Sequence, residues 1–339
     1  MDPECLGPIA RRNRHQPRNG LNCAWQKRTT VPPTFQNWNW NRAYSVAVLQ
    51  PVCHMGCQGR ISEGQKASRL NGVRSWGIFN ENMVDIHCHI LPGLDDGAES
   101  LDEALQMGEM AIADGITHVM GTPHSNDEYR FDPVLVRERR DELQKRFGER
   151  LKIATGCDFH LSYENLQDIR TNPAKYTLNQ LNYLLVEFAD FAIPPKIEDA
   201  LHHLQLAGIT PIITHPERNG LIRAKPERLY GWIHQGCYVQ VTASSLLGRF
   251  GSATQRLVNN WLGEGRIHFF ATDAHNLTSR PMRMRAAYEV VAKERGEEVA
   301  RALFQENPLA AFEGRPLPYV PEPEDFGAAQ KRKKRFFFF

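Results

Sequence analysis

Residues 83–90 read Met83-Val84-Asp85-Ile86-His87-Cys88-His89-Ile90, and Asp95-Asp96-Gly97 follows shortly after. A short apolar run rich in β-branched residues reads as a buried strand. This one ends in two imidazoles one residue apart. Runs of the same kind lie at 118–121, 153–157, 183–188, 210–214, 238–241 and 267–271, with 84–87 as the first. Between them, helical periodicity is expected at 100–114, 133–147, 196–207, 226–234 and 254–264. Ser100-Leu101-Asp102-Glu103 has the spacing of a capping box, and Gly115 and Gly208 fall where helices should stop. Strands alternating with helices predict a parallel sheet. Seven such units are too many for a small open sheet, so an α/β barrel, closed or nearly so, is predicted. Its chemistry would sit at the C-terminal strand ends.

The ionisable residues fall at those ends. His87 and His89 end the first run, with Asp95 and Asp96 close behind; His124, in Thr122-Pro123-His124, ends the second. Asp158 ends the third and Glu187 the fourth, while His215, in His215-Pro216-Glu217-Arg218, ends the fifth. Asp273 and His275 end the seventh. A single histidine at a strand end is usually a hydrogen-bonded structural residue, but the joint pattern is different. So many imidazoles and carboxylates in one barrel mouth call for cations. Nitrogen and oxygen donors without thiolates suit Mn²⁺, Fe²⁺ or Zn²⁺ in a catalytic centre, with two or three ions and a bridging carboxylate. Clustered divalent ions activate water and hold the oxygens of a charged ester. Arg218 and Arg280 stand just beyond His215 and His275, and the guanidinium fork matches phosphate. A phosphate-bearing substrate is therefore expected.

The remaining sequence sets the boundaries. Residues 1–82 show no helical or strand period and carry many arginines, so they are expected to be a disordered extension or a stretch not naturally translated, with Met83 as the start. Cys53-His54-Met55-Gly56-Cys57 is too small a set for a zinc site on its own. The metallophosphatase domain is expected over 83–321. The tail 322–339 ends in a Lys/Arg run and four phenylalanines, and reads as a solvated, disordered segment able to graze a membrane or a partner. A formal net charge of +2 does not argue for nucleic acid. No run approaches the ~18 apolar residues of a membrane span, and 1–20 holds no secretory apolar core, so the cytoplasm is the expected location. Seven irregularly spaced cysteines fit reduced thiols.

The motifs His87-Cys88-His89, Thr122-Pro123-His124, Thr214-His215-Pro216 and Asp273-Ala274-His275 resemble those of the PHP (polymerase and histidinol phosphatase) superfamily over about 83–313. Within it, Asp95-Asp96-Gly97, Val186-Glu187-Phe188, His215-Pro216-Glu217-Arg218 and the stretch from Thr272 to Arg280-Pro281 resemble the CpsB/CapC type of bacterial protein-tyrosine phosphatase. The resemblance implies a PHP-type distorted (β/α)7, TIM-like barrel with a trinuclear manganese centre. It implies His87, His89, Asp96, His124, Asp158, Glu187, His215, Asp273 and His275 as metal ligands, and Arg218 and Arg280 as the phosphate clamp. Phosphotyrosine on a membrane-associated tyrosine autokinase of capsule or exopolysaccharide synthesis would be the substrate, which allows a peripheral position at the inner membrane. Self-association into a homo-oligomer is a further expectation. The chain departs from the pattern at Asp158, where a bridging glutamate is expected; His160, two residues on, is read as a surface or supporting histidine.

In the expected mechanism a metal-activated water attacks phosphorus in line with the leaving oxygen, which His124 or His275 could protonate. Cysteine-based phosphatase chemistry needs Cys-x5-Arg, and only Cys5 and Arg11 have that spacing, within the atypical N-terminal stretch. The rival readings are a PHP phosphatase or phosphodiesterase for a small molecule such as histidinol phosphate, and a non-catalytic metal-binding regulatory module.

Overall fold

The computed structural model describes residues 82–322. The expectations for 1–81 and 323–339 lie outside the described residues. The strands are β1 (Met83–Cys88), β2 (Ile116–Gly121), β3 (His124–Ser125), β4 (Lys152–Thr155), β5 (Asp158–His160), β6 (Tyr183–Glu187), β7 (Thr210–Thr214), β8 (Tyr238–Thr242) and β9 (Phe269–Ala271). Every pairing is parallel, in the orders β1-β2-β4 and β3-β5-β6-β7-β8-β9. β3 continues β2 past Thr122-Pro123, and β5 continues β4 past Gly156-Cys157, so two sheets make seven barrel staves. The expected strand 153–157 thus stops at Thr155, and residues 156–157 link it to β5. Pro123 has no N–H to offer the ladder, and Gly156 lets the staves touch: a Cβ there would stand 2.5 Å from Leu178 and 3.2 Å from Thr122.

Local signals account for the helices around the barrel. Leu101–Ala113 (α1) starts at Ser100, whose hydroxyl accepts from the Glu103 N–H at 3.2 Å. Glu103 reaches back to the N–H of Glu99, one residue before the capping-box position. Pro133–Phe147 (α2) starts with Asp132 accepting from Val134 and Leu135, and with proline at its first position. The remaining helices are α3 (Tyr163–Thr171), α4 (Ile197–Leu206), α5 (Gly220–Ala224), α6 (Pro226–His234), α7 (Ala243–Leu246), α8 (Ser252–Gly263), α9 (Arg285–Arg295), α10 (Glu297–Arg301) and α11 (Asn307–Phe312), with a π-helical turn at Ala302–Glu306. Among the described residues no helix is long and apolar enough to cross a membrane.

Val84, Ile86, Met120, Ala154, Leu185, Ile212, Phe269 and Ala271 form a core cluster with Ala311 of α11, and Leu309, Phe312 and Leu317 pack against it. The Tyr183 hydroxyl, at the start of β6, donates to the Arg315 carbonyl at 2.7 Å. The 307–317 segment therefore plugs the end where strands begin and leaves the opposite end for the site.

First and last staves meet through backbone and one carboxylate. The Asp273 N–H donates to the His87 carbonyl and the His89 N–H to that of Ala274, both at 2.8 Å. Asp85 is fully buried and accepts from the Thr272 N–H at 3.0 Å, from the Thr272 hydroxyl and from the His87 N–H at 3.3 Å. Burial pushes its carboxyl up to about 6 against the pull of the Thr272 donors. Removing the acceptor strands buried donors, so Asp85→Ala should cost about 2–4 kcal/mol in denaturant unfolding of chelator-treated protein, and Asp85→Asn less. The folded-state pKa lies above the ordinary value of 3.8. Ionising Asp85 therefore costs stability as the pH rises from about 4 to about 6, a component that the Asn variant should lack.

Candidate metal centre

Strict alternation would put Val84 and Ile86 on one face of β1 and Asp85, His87 and His89 on the other. Yet Val84 and Ile86 join the barrel core, while His87 stands 3.4 Å from Asp158 and 3.5 Å from Asp273. The register resolves this. Asp85 pairs with Val119 and Cys88 with Gly121, so β1 carries one more residue than β2 over that step. This bulge turns His87 and His89 inward above their apolar neighbours, which is how bulges re-aim side chains.

All nine expected ligands are brought together. Four groups have donor atoms within 4.8 Å of one another: His89, Asp96, His124 and His275; His87, His215 and Asp273; His87, His89 and Asp158; His124, Asp158 and Glu187. Asp158 is central, its Oδ2 lying 3.4 Å from His87, 3.3 Å from His124 and 3.8 Å from His215. Asp96 lies 3.4 Å from both His124 and His275. His124 Nδ1, Asp158 Oδ2, His215 Nε2, Asp273 Oδ1 and His275 Nε2 are buried without hydrogen-bond partners. These approaches are therefore spacings without hydrogen-bond alignment. Two atoms bound to one ion at about 2.1 Å stand about 3.0–3.4 Å apart at octahedral or tetrahedral angles. The donor set and its spacing fit divalent cations.

The residues behind the imidazoles set which nitrogen faces inward. His89 Nδ1 pairs with Asp95 Oδ2 at 2.6 Å and His87 Nδ1 with Gln240 Oε1 at 2.9 Å. The two Nε2 atoms then face each other 3.3 Å apart, and once His87 gives up its proton a shared cation could take both lone pairs. His275 Nδ1 pairs with the Asp273 carbonyl at 3.0 Å, and Thr214 donates to Asp158 Oδ1 at 3.3 Å. Asp95 and Asp96, adjacent and alike in sequence, therefore differ in place: Asp95 orients His89, and Asp96 faces the cluster. Sequence reasoning missed Gln240, on the one stave with no ligand-type residue; only its inward parity on β8 pointed to it. It also missed Glu217, which accepts from the Thr242 N–H at 3.0 Å and the Ser245 hydroxyl at 2.7 Å and so ties the His215 loop to β8.

Charge in the cluster is strongly coupled. Burial opposes protonation of His87, but Asp158 and Asp273 outweigh it and hold the imidazole up at about 9. Burial alone would raise Asp158 and Asp273, yet His87 and His124 hold the first, and Arg218 and His87 the second, well below the usual carboxylate range. Burial and neighbouring His89 bring His275 down to about 4. His215 and Asp273 sit at φ 31° and 50°, left-handed values that non-glycine residues adopt at a cost of ~1–3 kcal/mol. Both follow a strand end, where this twist swings the side chain into the mouth.

Arg218 and Arg280 both donate to Asp273 Oδ2, leaving Oδ1 facing the histidines. The expected phosphate clamp is thus anchored on a cluster carboxylate, and each guanidinium keeps further N–H groups for a ligand. His160 lies at the end of β5 with its Nδ1 unpartnered and belongs to none of the four groups.

Titrating the chelator-treated chain with a divalent cation should raise its unfolding free energy by about 2.7 kcal/mol at a hundredfold excess over Kd. Binding must displace the proton held by His87, so affinity should fall up to about tenfold for each pH unit below about 9. Calorimetry in buffers of different ionisation enthalpy would show that proton. Gln240→Ala should weaken binding about 10–100-fold.

Residues 83–313 match the family described as capsular polysaccharide synthesis, CpsB/CapC. Tyrosine-protein phosphatase YwqE of Bacillus subtilis is 35% identical over 261 residues, covering 76% of this chain and 100% of that protein. Tyrosine-protein phosphatase CpsB of Streptococcus agalactiae is 31% identical over 235 residues, covering 66% of this chain and 96% of that protein. Among solved structures, one from work on YwqE from Bacillus subtilis and CpsB from Streptococcus pneumoniae, described as unique metal-dependent tyrosine phosphatases, superposes with a TM-score of 0.67 at 35% identity. It covers 72% of this chain and 100% of its own. The match over 83–313, with the identity to YwqE along the whole of that protein, shows that this chain belongs to the CpsB/CapC family.

Proposed function

We propose that residues 83–321 form a manganese-dependent protein-tyrosine phosphatase, with His87, His89, Asp96, His124, Asp158, Glu187, His215, Asp273 and His275 as its metal ligands. The observation that carries this reading is the buried cluster whose inward donor atoms lack partners, flanked by two guanidinium groups on Asp273. The names of the relatives support phosphotyrosine as the substrate and capsule or exopolysaccharide synthesis as the setting. The protein partner on this reading is a membrane-associated tyrosine autokinase, met from the cytoplasmic side.

Bound divalent ions would supply an activated water at neutral pH and neutralise charge on the phosphoryl oxygens. Arg218 and Arg280 bind those oxygens through the N–H groups that Asp273 does not use, and this fixes phosphorus over the cluster. Asp158, central among three histidines, would hold cations together with them, and the Thr214 hydroxyl steadies its Oδ1. The role expected of His124 or His275 as proton donor competes with the cations for the same nitrogens, and phenolate leaves with little help. Burial raises the thiols of Cys88, Cys157 and Cys237, which leaves the described cysteines poor nucleophiles.

The chain loaded with Mn²⁺ should hydrolyse a phosphotyrosyl peptide and lose that activity to a chelator. Arg218→Ala should lower kcat/KM by about 10²–10³. Full, chelator-insensitive turnover by a His87→Ala, His89→Ala chain would sink the metal mechanism. Faster turnover of histidinol phosphate or a nucleotide diester than of the peptide would favour a small-molecule phosphatase instead, and metal binding without any hydrolysis a regulatory module.

A further inference from the structure

Of the large apolar side chains left exposed on the described residues, Val134, Leu181, Leu206 and Val320 lie apart, and four others lie on loops at the active end of the barrel. Phe191, Leu221, Leu247 and Phe250 are 85%, 38%, 40% and 38% exposed. They lie after β6, β7 and β8, which are adjacent in the barrel, at the end that carries the metal centre. A cleft of about 80 Å³ opens there, lined by Glu187, His215 and Arg218 of the centre and by Phe188, Asp190 and Ile222. Phe191 follows Asp190 in the chain, Leu221 precedes Ile222, and the Phe250 ring centroid lies 5.1 Å from the Arg218 guanidinium carbon. Arg218 thus lies over an aromatic ring and donates to Asp273. Apolar side chains exposed beside a reactive centre are candidates for contact with its ligand.

We propose that Phe250, with Phe191 and Leu221, receives the aromatic ring of the phosphotyrosyl side chain and thereby sets a preference for aryl over alkyl phosphate esters. The inference rests on the phosphatase reading. A phosphoryl group held by Arg218 has its ester oxygen directly attached to the substrate's organic group. In phosphotyrosine that group is a rigid apolar ring, and the Phe250 ring that Arg218 lies over is partly exposed. The short alkyl group of phosphoserine would cover much less of it. Aromatic contacts contribute about 0.5–1.5 kcal/mol beyond the area that they bury, so deleting one should be visible in selectivity.

The test measures kcat/KM for a phosphotyrosyl and a phosphoseryl peptide of the same sequence, with Mn²⁺, for the wild type, Phe250→Ala, Phe250→Trp and Phe191→Ala. The inference expects the wild type to prefer phosphotyrosine. The tyrosine-to-serine ratio should fall about tenfold in Phe250→Ala, mainly through KM, fall less in Phe191→Ala, and be restored in Phe250→Trp. Ratios within twofold of the wild type in both alanine variants would overturn the ring receptor and leave the phosphatase reading standing. Equal losses on both substrates, with a changed mass in size-exclusion chromatography, would assign the patch to contact between copies of the chain and overturn it too. A metal-loaded wild type that hydrolyses neither peptide would remove the phosphatase reading and this inference with it.

Discussion

Imidazole and carboxylate donors held 3.3–3.8 Å apart in a buried rim, with their inward atoms unpartnered, are the constraint on which this structure turns. An unpaired buried polar atom costs about 1–3 kcal/mol, and more when charged. Five such atoms in one mouth would be a poor design for a protein that had nothing to place between them. The metal-free chain lessens the cost with protons, which is why His87 is held up at about 9 while its carboxylate neighbours are held down. A divalent cation serves the same lone pairs with more charge.

Such a cluster must be imposed by a scaffold that its own repulsions cannot open. The barrel supplies it at the seam between its first and last staves. Asp85 takes both Thr272 donors, and backbone bonds run from β1 to the Asp273–His275 segment, so the two segments that carry candidate ligands are locked together beneath the site. Among the described residues, apolar side chains and the 307–317 segment fill the opposite end. Gly97 completes the wall: a Cβ there would stand 2.2 Å from the His89 carbonyl, so only glycine lets the Asp95-Asp96 loop fold so closely over the first strand.

Asp273 joins the candidate metal cluster to both arginines. One of its oxygens faces the histidines and the other takes both arginines, so cation and phosphate would be coupled through a single carboxylate. Loss of Arg218 would therefore change the field on the metal side as well as the grip on substrate, an effect that a simple surface clamp would not have. The same guanidinium lies against Phe250, which continues the chain of contacts from the cluster out to the exposed rim.

Much of this was legible in the sequence. The alternation of apolar runs with capped helices predicted seven parallel staves, and the recurrence of His, Asp or Glu at their ends predicted which end would be active. These are local properties: the strand and helix periods and the caps depend on residues a few positions apart. The structure alone decided the rest. The extra residue in β1 that turns His87 inward, the Gln240 that orients it from 153 residues away, and the Asp85–Thr272 bonds across 187 residues depend on which strands become neighbours. So do the division of labour between Asp95 and Asp96 and the anchoring of both arginines on Asp273. Composition and spacing can nominate donors, but the direction of each lone pair is set only when distant strands close on one another.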